Sequence, residues 1–384
     1  MHASRILLVL SLIFGFAATV AAQPSDRSAA QAEDRIDFNR ARQLLQRMRR
    51  GEELSADEQA YVQRAIEARR RLNQRPGAGR ATRSFGEKTG FKPLAEMTAD
   101  DRYKDQEGGL YGARRNTPPD AHRRLAEVEL AKIQPLDAQG RPSENGKIVL
   151  VSISMSNATQ EFSLFKRLAD EDLAKSPLLT IVDCAQGGQA MAEWASPQAP
   201  PWREAERRLR AANVTPEQVQ VAWVKLANKA PRGELDEHGK QLQRDTLGVL
   251  QTAKSRFPNL RIAYLSSRIY GGYATGPLNP EPYAYESAFV CRWLIQDQIK
   301  GDPALNFDQS QGPVKAPLLL WGPYVWADGT TPRTSDQLVW KREDLAGDGT
   351  HPSQSGRAKV AHMLLEYFKT DPLAQSWFVK KENR

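Results

Sequence analysis

The chain has 384 residues, 40% of them apolar and 26% charged, two cysteines and a net charge of +8. These are the fractions of an ordinary globular protein, and the length suits one large α/β domain with an appendage. The positive excess does not make a nucleic-acid binder: much of it is arginine in residues 40–71, interleaved with Glu and Gln and without an aromatic stacking set. That pattern reads as a solvated helix face, with attraction to an acidic polysaccharide left open.

Residues 1–22 carry a short basic start (His2, Arg5), an apolar stretch from Ile6 to Val20 and small residues Val20-Ala21-Ala22. This is the pattern of a signal peptide cleaved before Gln23, which predicts a secreted or periplasmic protein with no stable membrane insertion after cleavage. An uncleaved anchor is the alternative. Residues 23–100 read as a helical hairpin followed by a linker. Ile36, Ala41, Leu44, Leu45 and Met48 recur at helical spacing, Gly51 breaks the run, and Ser55-Ala-Asp-Glu58 is a capping box. The second helix turns Val62, Ala65, Ile66 and Leu72 inward. Residues 74–100, rich in Gly, Pro, Arg and Thr, have linker composition. In the turn-rich stretch 103–147, Gly108-Gly-Leu-Tyr-Gly112 reads as tight turns rather than a phosphate cradle, since no strand precedes it and no Lys-Ser/Thr follows. Tyr111 there is a candidate cleft residue, and a helix is expected near 121–132.

Residues 101–384 form the main domain. Five apolar runs have the character of buried parallel strands: Ile148–Ile153, Leu178–Asp183, Val219–Val224, Leu260–Leu265 and Pro317–Trp321. Helical patterns separate them at 159–170, 202–212, 239–256 and 283–299, and a last helix runs from Ser353 to Phe368. The alternation predicts a flavodoxin-like three-layer α/β/α domain with a five-stranded parallel sheet in the order 2-1-3-4-5.

Chemistry concentrates at the predicted carboxyl ends of the strands. Asp348-Gly-Thr-His351 places a carboxylate three residues before an imidazole, suited to fixing the ring tautomer so that Nε2 serves as a base. Ser156, in Ser154-Met-Ser-Asn157 after the first strand, is the matching nucleophile; read alone, it is more readily a helix cap. After the second strand come Asp183-Cys-Ala-Gln-Gly187-Gly188-Gln-Ala-Met-Ala-Glu193-Trp194, and at the end of the third Lys225 and Asn228. Cys184 and Cys291 fall in different halves of the predicted sheet, which disfavours a disulfide, and Cys184 reads as a small apolar filler. His122, His238 and His362 have no ligand spacing, so neither a metal nor another cofactor is expected.

These four segments together resemble the SGNH or GDSL hydrolase superfamily over roughly residues 147–370. Ser-Met-Ser-Asn is similar to the Gly-Gln-Ser-Asn of the carbohydrate acetylesterase branch that includes sialate O-acetylesterases, and Gly-Gly-Gln-Ala-Met-Ala-Glu-Trp to its Gly-Gly-Thr-x-Ile-x-Glu-Trp. The resemblance implies Ser156 as nucleophile, His351 as base and Asp348 as its orienting acid. It implies an oxyanion hole from the N–H groups of Ser156 and Gly187 or Gly188, completed by Lys225 or Asn228 where the family has a side-chain amide. Lys225 has a second reading as a structural ion. Ser154 replaces the family glycine two residues before the nucleophile, and Met155 the residue between them. The implied activity is deacylation of a small-molecule or carbohydrate ester through an acyl-enzyme; the alternative is a catalytically inactive glycan-binding or interaction protein on the same scaffold. Oligomeric state is not legible.

Overall fold

A computed structural model of the chain describes residues 37–49, 52, 54–74 and 84–380. The expected signal segment, and the contributions of Ile36 and Gly51 to the hairpin, lie outside the described residues. Among the described residues no helix is long and apolar enough to cross a membrane. The chain divides into two compact units, Met1–Arg80 and Ala81–Arg384.

In the first unit, helices α1 (Phe38–Arg49) and α2 (Ala56–Gln74) pack through Ala41, Leu44, Leu54, Val62 and Ala65. The Ser55 hydroxyl accepts the Glu58 N–H at 3.2 Å and the Glu58 carboxylate accepts the Ser55 N–H at 3.0 Å, closing the reciprocal cap that the sequence announces. Arg47 pairs with Glu52 and Glu58, one of the solvated charge arrangements expected of this hairpin. Ile66 does not point inward; it is 39% exposed, because the buried stripe of α2 runs through Val62 and Ala65 and leaves the next position at its edge.

The second unit holds α3 (Asp120–Ala131), β1 (Ile148–Ile153), α4 (Ser156–Glu171), β2 (Leu179–Val182), α5 (Met191–Trp194) and α6 (Pro200–Ala211). It continues with β3 (Val219–Lys225), α7 (Lys240–Arg256), β4 (Ile262–Ser266), α8 (Tyr283–Ile299), β5 (Leu318–Trp321), α9 (Gln354–Thr370) and α10 (Gln375–Phe378). All pairings are parallel and the order is β2-β1-β3-β4-β5. β1, β3, β4 and β5 are buried along their whole length, which is why they read as unbroken apolar runs rather than as alternation. On one face α4 and α9 pack together, joined by Phe165 against Phe368, while Phe162 stacks on the Trp223 ring at 5.5 Å. Truncating such a buried aromatic costs about 3–5 kcal/mol. α5 and α8 each pack against α7, and the edge-on contact of Trp194 with Trp202 joins α5 to α6.

Residues 84–100 are not a free linker. Asp328 accepts hydrogen bonds from the Thr89 N–H and hydroxyl, both at 2.6 Å, and from the Gly90 N–H at 2.9 Å. The Gly86 N–H donates to the Gly272 carbonyl, and the Leu94 N–H to the Tyr324 hydroxyl. The segment is a strap whose backbone polar groups are satisfied by loops at the carboxyl end of the sheet, so the boundary between units falls near residue 81 rather than 101. Tyr111 is also corrected: it is 7% exposed and its hydroxyl accepts the Trp321 N–H, so it packs against β5 instead of facing solvent. Gly109 and Gly112 have positive φ, as tight turns require.

Candidate active site

In an open parallel sheet the strand order reverses beside β1, and the crevice opens at the carboxyl ends on either side of it. The chain leaves β1 through Ser154 and Met155 and turns directly into α4. Ser154 is fully buried and serves as a hub: its hydroxyl donates to the Lys225 carbonyl at 2.5 Å, and its carbonyl accepts the Gln186 N–H and the Trp194 indole N–H. Met155 packs with Ala190 and Ala227. The two residues that depart from the resembled family thus fix the strand exit by hydrogen bonding and packing.

Ser156 is the first residue of α4. Its hydroxyl caps nothing; the helix has no side-chain cap, and Ser156 Oγ lies 2.8 Å from His351 Nε2 instead. The other ring nitrogen, Nδ1, is 2.5 Å from Asp348 Oδ2. Asp348 Oδ1 accepts the N–H groups of Thr350 and His351, both at 3.0 Å, so one carboxylate orders both the turn and the ring. Burial alone would raise the Asp348 carboxyl, but the hydrogen bonds from the His351 ring and from the two backbone N–H groups outweigh it and hold the group below the usual range. Gly349 makes the turn possible: its φ is +63°, and a Cβ there would lie 1.8 Å from the Tyr273 carbonyl oxygen. The helix cap that follows is Ser353, whose hydroxyl accepts the Gly356 N–H, so His351 itself is free of capping duty.

Asn157, adjacent to the serine, donates from Nδ2 to the Thr350 carbonyl at 2.9 Å. It is buried and ties the start of α4 to the turn that carries the histidine. Its role went unassigned in the sequence, although the Ser-Asn pair was visible. The loop after β4 adds a second support, with the Thr275 N–H donating to the Asp348 carbonyl.

The loop after β2 brings Gly187 over the serine. A Cβ built on Gly187 would stand 4.0 Å from the Ser156 Cβ, and among the described residues no acceptor takes its N–H. The Ser156 N–H, in the first turn of α4, has no intrahelical partner either. Gly187 thus lies beside Ser156, and both residues carry an N–H uncommitted among the described residues, at the positive end of α4. Gly188 has φ +79° and supplies the turn, its carbonyl accepting the Lys229 ammonium at 3.0 Å.

Lys225 is not at this site. It is 0% exposed, and its ammonium contacts both oxygens of Glu161 at 2.5 and 2.7 Å on the face of the sheet covered by α4. Residues alternate faces along a strand, and Lys225 shares the face of Trp223, which turns toward α4 rather than into the crevice. Burial pushes the Lys225 ammonium down to about 8 and the Glu161 carboxyl up from its ordinary value. Asn228 is at the crevice, but its side chain clamps loops: Oδ1 accepts the Ala192 N–H and Nδ2 donates to Asp245 at 2.6 Å.

Arg268, just past β4, was not anticipated. It is 2% exposed, its Nε donates to Asn279 Oδ1 at 3.2 Å, and its Nη1 has no partner among the described residues. Burial lowers it, against the attraction of Glu161, Glu281 and Asp348. Cys184 and Cys291 are free and buried, and burial raises the Cys184 thiol, which argues against a thiolate nucleophile. His238 is in an ion-pair network, 2.5 Å from Glu286. No group of metal-ligating side chains occurs among the described residues.

No family model and no curated protein matches the chain. Solved structures do. A Bacteroides fragilis protein titled as an acylhydrolase is 13% identical, with a TM-score of 0.33 over 67% of this chain and 100% of that one. The periplasmic domain of a lipopolysaccharide acetyltransferase from Salmonella ser. Paratyphi A is 14% identical, with a TM-score of 0.30 over 64% and 96%. A gut microbial diltiazem-metabolizing enzyme is 13% identical, with a TM-score of 0.31 over 62% and 49%. At such identities and scores these likenesses carry no argument about chemistry, and the functional reading stands on the site geometry.

Proposed function

We propose that the protein is a serine hydrolase of carboxylic esters, of the SGNH type, exported from the cytoplasm and acting on an acetylated carbohydrate or similar small ester. The observation that carries this reading is the continuous relay from Ser156 Oγ through both nitrogens of His351 to Asp348, at 2.8 and 2.5 Å, set at a helix N-terminus. Ser156 Oγ attacks the ester carbonyl carbon as His351 Nε2 takes its proton, and Asp348 accepts the Nδ1–H and stabilises the imidazolium. Negative charge collects on the carbonyl oxygen, where the Ser156 and Gly187 N–H groups donate; one such donor is commonly worth about 3–4 kcal/mol. Collapse breaks the carbon–oxygen bond, and His351 returns the proton to the departing alcohol. Water activated by the same imidazole then attacks the acyl-serine, releasing the acid and restoring the hydroxyl.

One observation favours a non-catalytic glycan binder: neither expected side-chain donor is available to the oxyanion, since Lys225 is sealed on Glu161 and the Asn228 amide is held by Asp245. Labelling decides between the two. Incubation with an organophosphonate, followed by mass spectrometry, is expected to give a single adduct on Ser156 that is lost in Ser156→Ala and sharply reduced in His351→Ala. A folded protein that takes no label overturns the hydrolase reading.

A further inference from the structure

Beside the Ser156–His351 pair a groove of about 730 Å³ runs between α4 and the start of α9. Polar and charged side chains line it on their aliphatic stems: Thr159, Gln160, Ser163 and Arg167 from α4, Gln354 and Arg357 from α9, with Leu164 beside them. Thr159 and Gln160 lie one turn beyond Ser156 on α4, and Gln354 three residues beyond His351, so one end of the groove is within a helical turn, along the chain, of each reacting group. Arg167 is eleven residues from Ser156, about 16 Å along the helix axis. A ligand spanning that distance is an oligomer rather than a single small ester.

Among the described residues neither arginine of the groove makes an ion pair. Arg357 donates from Nε to the Pro352 carbonyl at 3.1 Å, which leaves both Nη groups uncommitted, and among the described residues no carboxylate pairs with Arg167 or Arg357. The nearby Asp183 carboxylate is turned inward, accepting the hydroxyls of Ser152, Thr159 and Ser163 and the Ala185 N–H. Glu161 is sealed against Lys225. Gln160 Oε1 is enclosed and takes no hydrogen bond, an acceptor left for a hydroxyl once the side chain rotates. Guanidinium forks match carboxylate and sulfate oxygens, and the Gln and Ser/Thr side chains match hydroxyls.

We infer that this groove holds the leaving-group side of the substrate, an acidic and hydroxyl-rich chain whose carboxylate or sulfate groups are taken by Arg357 and Arg167. The inference rests on the hydrolase reading of the adjoining serine and names the substrate class of that site.

The test compares kcat/KM for O-acetylated tetragalacturonate with that for O-acetylated cellotetraose, a neutral chain of the same length. The wild-type protein is expected to prefer the acidic ester by roughly tenfold or more at low salt, with the preference shrinking as ionic strength rises. It should collapse toward unity in Arg167→Gln/Arg357→Gln and persist in the Arg→Lys pair, with melting curves confirming folded protein. A sulfated, O-acetylated cellotetraose separates sulfate from carboxylate as the recognised group. Hydrolysis of all three with equal efficiency, or a preference that survives in the Gln pair, overturns the inference and leaves the hydrolase reading intact. If no ester is cleaved, the hydrolase reading has failed separately. Calorimetric titration with tetragalacturonate then decides the groove: binding lost in the Gln pair supports it, and no binding overturns it.

Discussion

Helix α4 anchors two acid–base pairs with opposite fates. At its first residue Ser156 meets His351 and Asp348 in a relay whose imidazole is 26% and carboxylate 44% exposed. Just over one turn later Glu161 meets Lys225 with both side chains at 0%. Both join α4 to a residue far along the sequence, 195 residues on for Ser156 and 64 for Glu161, and both sit near the carboxyl end of the sheet. Solvent access separates them. The exposed relay is open to a substrate and can exchange protons during turnover, whereas the sealed pair has given up its hydration and is held by mutual attraction in a dry layer. A charged residue at a strand end is therefore not a site residue until its face of the sheet is known.

The largest expected effect breaks the exposed relay. Ser156→Ala should lower kcat on aryl acetates by about 10⁴-fold or more with an unchanged melting curve, and Asp348→Asn by about 10²–10⁴-fold, because the ring loses its fixed tautomer. Breaking the sealed pair should give the inverse result. Lys225→Met strands Glu161 without a partner and is expected to cost roughly 3–5 kcal/mol in chemical denaturation while the folded fraction keeps its turnover. Adding Glu161→Leu should restore most of that stability; a kcat that fell with Lys225→Met and did not recover in the double variant would move Lys225 back among the reacting groups.

A smaller effect tests the turn. Gly349→Ala must displace the Tyr273 carbonyl and adopt a positive φ, with an expected cost of about 1–3 kcal/mol and a drop in kcat as Asp348 shifts. Smallest is the pH response. The Asp348 carboxyl is lowered in the folded protein, so its contribution is present above about pH 4, the ordinary aspartate value, and is lost as pH falls through the depressed one. Thermal melts between pH 5 and 3 should therefore be less acid-sensitive in Asp348→Asn than in wild type, and equal slopes would contradict the assigned direction.

Much of this architecture was legible in the sequence, for reasons that also explain the gaps. The parallel strands bury both faces, so each announces itself as an apolar run, and the observed ends fall within two residues of those expected. The meeting of Ser156 with the Asp348–His351 turn was legible because a serine at a strand exit and a carboxylate three residues before an imidazole each allow few roles. Lys225 was not, because its partner Glu161 is 64 residues away and nothing local reveals which face a terminal strand residue takes. The strap at 84–100 was hidden by composition: Gly, Pro and Thr signal irregular backbone, and only the fold shows that this backbone is pinned to Asp328 and Gly272. A truncation that tests whether the hairpin is dispensable should accordingly start near residue 81 and spare the strap.

The strap also bears on when the protein becomes competent. It is synthesised early, yet its anchors at Gly272, Tyr324 and Asp328 arrive 186 to 239 residues later, and the serine waits 195 residues for its histidine. Such long loop closures are the slow events of folding. The crevice is thus expected to be the last part of the molecule to form: a chain interrupted before residue 348 has all five strands of the sheet and still lacks the imidazole, so that the proposed activity would report near-complete synthesis rather than the mere presence of a folded core.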